Sequence, residues 1–183
     1  MFGWLERKAR LRQTGRLLYE RIVARARTEV FYRDLGVADT IEGRFEMIVL
    51  HMVLMLQRLK REGEAGQRLG QIVMEHLFAE MDDALRQIGI GDMGVPRRVQ
   101  RAAAAFSERS RDYTAVLQTG PLAAALLQHV YTLPDGTVRL ESPVDAERLA
   151  AYARASVEQL DAATLDAILE DRLPFADISP LRP

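Results

Sequence analysis

An all-α fold, an irregular bundle of about six to seven helices, is what the amino-acid sequence predicts. Three observations carry that prediction. Apolar residues recur at helical spacing along most of the 183 residues. Turn formers are gathered at a few short breaks, near Gly36, Gly63, Gly89 and Gly120. The one strong non-helical turn signal is Leu133-Pro134-Asp135-Gly136, with Thr137, Val138 and Leu140 extended beside it.

Leu17, Leu18, Ile22, Ala26 and Val30 place the first amphipathic helix from near Arg10 to near Arg27. It breaks around Gly36. Asp39 followed by Glu42 reads as a capping box, the Asp39 carboxylate accepting from orphan amides, so the second helix starts near Thr40. Phe45, Ile48, Val49, Met52, Leu56 and Leu59 on one face, with Leu50, Val53 and Leu54 on the other, make that helix apolar nearly all round. It belongs at the centre of the core.

Gly63 and Gly66 punctuate, and a third helix runs through Leu69, Val73, Leu77, Met81 and Leu85 to Gly89, with an acidic outer face. The loop Gly89 to Pro96 is dense in turn formers, and Pro96 suits the first turn of a fourth helix reaching about Leu117. After Gly120-Pro121 comes the short apolar run Leu122 to Val130. Ser142-Pro143 with Asp145 opens a helix through Leu149, Tyr152 and Leu160, and a last short helix, Asp161 to about Asp171, stops before Pro174. The alanine runs Ala102 to Ala105 and Ala123 to Ala125 mark places for close helix approach.

With 48% apolar residues, the chain reads as one helical domain, 1–183, in which 1–14 is a basic N-terminal segment with freedom to move and 133–183 is a C-terminal helical extension. Cysteine is absent, which removes disulfides, thiolate metal sites and cysteine nucleophiles and fits a reducing cytoplasm. The longest apolar stretch, Ile48 to Leu56, is interrupted by His51 and falls well short of the roughly 20 residues a spanning helix needs. Neither a secretion signal nor a long mitochondrial presequence is expected ahead of the helices. The expected location is the cytoplasm, including the inner face of the cytoplasmic membrane.

Formal net charge is only −1, yet it is unevenly spread: arginines crowd the first segment and carboxylates the chain from Asp135 onward. The basic end therefore meets lipid headgroups, RNA, or the acidic end of its own fold. Trp4 beside the arginine-rich helix fits an interfacial membrane contact as well as it fits packing on the bundle. Arg21, Arg25 and Arg27 are equally suited to RNA phosphates.

Imidazole chemistry has three candidates, His51, His76 and His129. The paired Glu-x-x-His motifs of a di-metal bundle are missing. His76, Glu80 and Asp83 lie on one helix face but lack a second half-site, so a solvated acidic face is the stronger reading. His51, inside an apolar helix, reads as a core histidine bonded to a carbonyl. The loop Gly89-Ile90-Gly91-Asp92 follows a helix and lacks the Lys-Ser/Thr of a nucleotide loop. No enzyme, metal or cofactor is expected.

Two ordered signatures go further. The first comprises Tyr19 to Arg27 and then Phe31-Tyr32-Arg33-Asp34-Leu35-Gly36-Val37-Ala38-Asp39-Thr40, continuing through Gly43, Arg44 and Phe45 to His51; the second is Asp82 to Pro96. Together they span most of residues 15–118, and the chain resembles the ubiquinol-cytochrome c chaperone family, as a bacterial relative. The tail from Leu133 lies outside the resemblance. The family is helical and non-catalytic, and its mitochondrial members act with a small partner protein at the ribosome, receiving newly made cytochrome b for the quinol-oxidising cytochrome bc complex. The resemblance implies an assembly chaperone for cytochrome b or another respiratory membrane protein.

Tyr32, Arg44, Phe45, Asp92 and Val95 are the candidate client-facing residues, because an aromatic beside a cation suits an apolar helix with a polar end, although Tyr32 and Phe45 fit places in the core at least as well. Such a chaperone predicts an exposed apolar groove on the folded monomer. The alternative is a ribosome- or RNA-associated basic factor that binds no client.

Overall fold

The computed structural model describes residues 2–91, 93–133, 135–138, 141–170 and 173–178, with the backbone alone for Phe2, Gly3 and Trp4. Eight α-helical segments and one π-helical turn follow in order among these residues. They are α1 (Phe2–Ala26), α2 (Glu29–Arg33), α3 (Ile41–Lys60), α4 (Gly63–Gln87), α5 (Val95–Val116), α6 (Leu122–Leu126), the π turn (Leu127–Tyr131), α7 (Ser142–Ala162) and α8 (Leu165–Leu169). The chain is an all-α bundle, as its periodicity predicts.

α3 is the axis on which the rest is assembled. Residues 46–55 are buried without interruption. Around them pack α1, α4, α5, α7 and the π turn. Met47, Leu50, Met52 and Met55 have no exposed surface, and each such side chain contributes roughly 1.5–3 kcal/mol by leaving water. A helix apolar all round has no solvent face to spare, which is why four other helices enclose it.

Local chemistry moves several boundaries from their expected places. Thr40, not Asp39, caps α3: its hydroxyl accepts from the Gly43 amide at 3.1 Å, while the Asp39 carboxylate is drawn sideways to Arg44 Nε at 2.6 Å. α1 begins at Phe2 instead of near Arg10, because its arginines are good helix formers even where apolar spacing is weak. α4 begins at Gly63, so Gly66 lies within its first turns. A Cβ on Gly66 would stand 1.9 Å from the Leu59 carbonyl oxygen, so glycine is what lets α3 turn tightly into α4. The short α2 has no counterpart in the sequence reading, and it buries Val30 and Phe31.

Downstream, the expected turn at 133–136 forms, with Gly136 at φ 83° and an isolated antiparallel bridge between Thr132 and Val138. Leu140 lies outside the described residues. α7 runs through Asp161 to Ala162, and Thr164 rather than Asp161 starts the last helix, its hydroxyl accepting from the Ala167 amide at 3.2 Å. No helix among the described residues is long and apolar enough to cross a membrane.

Candidate functional site: an apolar groove beside α3

Where the first half of α3 meets the second half of α4 and the first half of α5, the bundle does not close. An open groove of about 690 Å³ remains. Ile41, Phe45 and Ile48 line it from α3, Leu77 and Met81 from α4, and Ala102 and Ala105 from α5. Ile48 and Leu77 are nearly buried and form its floor; Phe45 and Met81 are half-buried against the core; Ile41, 77% exposed, stands at its mouth. A large aliphatic side chain left in water above an apolar trough is the surface expected where a partner completes the burial.

Charged groups frame this trough and are mostly satisfied within the chain. Arg44 is bound to Asp39 at 2.6 Å, and Arg27 lies 3.9 Å from Glu80, which also accepts a hydrogen bond from the Tyr19 hydroxyl. Burial, then the bond to Glu80, pushes the Tyr19 hydroxyl's pKa up. Glu46 sits almost out of solvent at the groove's inner edge, where Arg109 Nε donates to both of its carboxylate oxygens at 3.0 Å. Burial raises the Glu46 pKa, and the Arg109 guanidinium opposes it.

The candidate client-facing residues separate accordingly. Arg44 and Phe45 line the groove. Tyr32 lies in an adjoining polar notch of about 210 Å³ that shares Arg27 and Arg44 with it, and its hydroxyl donates to the Ala26 carbonyl at 2.8 Å. Val95 is fully buried in the first turn of α5, so its side chain serves packing. Asp92 lies outside the described residues, as does the side chain of Trp4. The sequence gives Ile41 no role and Met81 only a place in the periodicity of α4. Only the alanine run hinted at a place of close approach.

The basic helix α1 turns out to grip its own chain. Arg21 Nη1 donates to the Leu169 carbonyl at 2.9 Å and also to that of Glu170. Arg25 Nε donates to the Tyr152 hydroxyl at 3.0 Å, and its Nη2 to the Ala176 carbonyl. Two of the three arginines proposed for RNA or lipid are therefore engaged with the C-terminal segment. The acceptors are mainly backbone carbonyls, which the acidic composition of that segment does not reveal.

The histidines take separate structural partners. His51 is fully buried, donating from Nδ1 to the Met47 carbonyl at 2.8 Å and accepting at Nε2 from the Tyr152 hydroxyl at 2.9 Å. Burial lowers its pKa to about 4; the Met47 bond opposes this and the Arg25 charge adds to it. His129 donates to Asp112 at 2.8 Å, and His76 stacks on Tyr19. Among the described residues no group of His, Cys, Asp and Glu is placed to hold a metal ion.

Known proteins resemble the chain across this whole architecture. It is 25% identical over 172 residues to ubiquinol-cytochrome c reductase complex assembly factor 1 of Drosophila melanogaster, covering 88% of this chain and 63% of the fly protein. To the Xenopus laevis protein of the same description it is 24% identical over 163 residues, covering 88% of this chain and 77% of the frog protein. The chain thus spans less than two thirds of the fly relative's length. The crystal structure of the Cbp3 homolog from Brucella abortus matches with a TM-score of 0.79 and 32% identity, over 97% of both chains. Residues 33–175 match the family model described as ubiquinol-cytochrome C chaperone, and the chain belongs to that family.

Proposed function

We propose that this protein is an assembly chaperone that holds newly made cytochrome b in the groove beside α3 and thereby promotes biogenesis of the ubiquinol-cytochrome c reductase complex. Membership of the chaperone family supports the role, and the relatives' description as assembly factors of that complex supports the pathway. The observation that carries the site is the groove itself. It is an apolar trough with Ile41 exposed at its mouth, whereas the His51, His76 and His129 side chains are engaged in separate packing contacts.

The physical logic is that of a helix-in-groove contact. An apolar membrane-helix segment outside lipid exposes surface that water penalises, and a trough of aliphatic side chains offers it a temporary substitute at roughly 25 cal/mol per Å² removed from water. Polar rims on both sides keep the empty groove soluble. Holding must be reversible, because the client has to leave for its complex. A groove open along one side releases a segment without unfolding the chaperone.

The test is a charge placed where the surface is already exposed. Ile41→Asp leaves the core untouched and puts a carboxylate at the groove mouth. In cells lacking the natural copy, the variant should accumulate normally yet fail to restore haem b absorbance and reductase activity. Full restoration by Ile41→Asp would refute the groove as the site of action.

A further inference from the structure

We infer that the groove selects apolar helices carrying carboxylates along one flank, and that Arg98 and Arg101 of α5 are the edge that reads them. This inference rests on the client-groove reading above and adds the chemistry of the occupant.

Positive charge is left over at one edge of the groove. Of the cations bordering the groove, Arg27 faces Glu80 at 3.9 Å and Arg44 holds Asp39 at 2.6 Å. Of the anions, Glu46 is clamped by Arg109 at 3.0 Å, and Glu42 stands in the first turn of α3, where the positive helix end accommodates it. Arg98 and Arg101 line the groove, are exposed, and have no ion-pair partner among the described residues. Three residues apart, they project from the same face of α5.

Their position strengthens the field. Both belong to the first two turns of α5, the positive end of that helix's dipole. Ala102 and Ala105 line the groove on the same helix, with side chains small enough for an incoming helix to approach α5 closely. A helix seated there would place one flank beside two guanidinium groups, each able to bind a carboxylate through two parallel N–H bonds. A flank of lysines would meet like charge at the same place, so the edge rejects as well as attracts.

The full-length chain can be titrated by fluorescence anisotropy against labelled leucine-alanine helices of about 18 residues, roughly five turns. The helices differ only in whether one flank carries glutamate, glutamine or lysine. The glutamate helix should bind about tenfold tighter than the glutamine one, the lysine helix more weakly still, and the preference should shrink as salt rises. The double substitution R98E/R101E, at two exposed positions, should invert the glutamate–lysine order. Circular dichroism would verify its fold.

Equal affinity for all flanks, unmoved by R98E/R101E, would overturn the inference while leaving the groove intact. A glutamine helix that fails to bind, or binds regardless of Ile41→Asp, would instead overturn the groove reading itself. Arginine-dependent binding to phosphatidylglycerol vesicles without any flank preference would also overturn the inference, by showing the edge to be a headgroup site.

Discussion

The Tyr152 hydroxyl donates to Nε2 of His51 at 2.9 Å, joining α7 to α3 inside the core. Because the Met47 carbonyl can only accept, the His51 proton sits on Nδ1, and Nε2 is left to receive from Tyr152, which in turn accepts from Arg25 Nε at 3.0 Å. The bonds run in one direction from a cation on α1 to a carbonyl on α3. The rings of Phe31 and Phe175 close around the imidazole, at centroid distances of 5.3 and 5.1 Å.

A pH dependence follows from that burial. The folded-state pKa of His51, about 4, lies below its ordinary 6.5, so between those values the unfolded chain binds the extra proton. Stability from this group is complete above about pH 6.5, is lost as pH falls, and is gone near pH 4, a loss of order 3 kcal/mol. Glu46, with its raised pKa, acts in the opposite sense. Urea unfolding of the wild type and His51→Gln across pH 4–7 separates the two: the wild type should lose more stability on acidification than the variant.

Tyr152→Phe should destabilise the protein by about 1–3 kcal/mol at neutral pH, since it leaves a buried imidazole nitrogen and part of the Arg25 guanidinium without their partner. Chemical denaturation would measure it. An effect within about 0.5 kcal/mol would mean that the bond contributes nothing beyond packing.

Gly43 lies so close to the preceding loop that a Cβ would stand 2.0 Å from the Ala38 carbonyl oxygen. Gly43→Ala must push α3 away from that loop, at a cost of roughly 1–3 kcal/mol. Gly91, with nothing within 4 Å of its Cβ position, is the matched comparison, and Gly91→Ala should stay within about 0.5 kcal/mol of the wild type. Thermal melts of the two variants should therefore diverge.

Arg25→Ala should free the C-terminal segment without unfolding the bundle. The Ala176 amide donates to Ser156 Oγ at 3.1 Å, and the Ala176 carbonyl accepts from Arg25. Losing a charge-assisted bond of about 1.5 kcal/mol should accelerate exchange of the Ala176 amide roughly tenfold. The α3 amides should keep their protection.

How much of this could be read from sequence depended on whether a residue's partner was local. α3 was legible as the core axis because its apolar residues cover every face, and no tertiary context can place such a helix elsewhere. The cap at Thr40 was not, because Asp39 has the same capping chemistry and the choice turned on Arg44, five positions away. The five-residue α2 is too short for its periodicity to register. The grip of Arg21 and Arg25 on Leu169 and Ala176 was hidden for another reason: a backbone carbonyl leaves no trace in side-chain composition. In the groove, Arg44 and Phe45 stand out locally, while Arg98 and Arg101 acquire meaning only once α5 is laid beside α3 and α4.

The most direct test of the central claim is photocrosslinking in living cells from a light-activated side chain at position 41, in the groove mouth, against one at position 144, on α7 and similarly exposed. Cytochrome b captured from position 41 and not from position 144 is the predicted result. Equal capture from both positions, or capture from 144 alone, would contradict the groove as the client site.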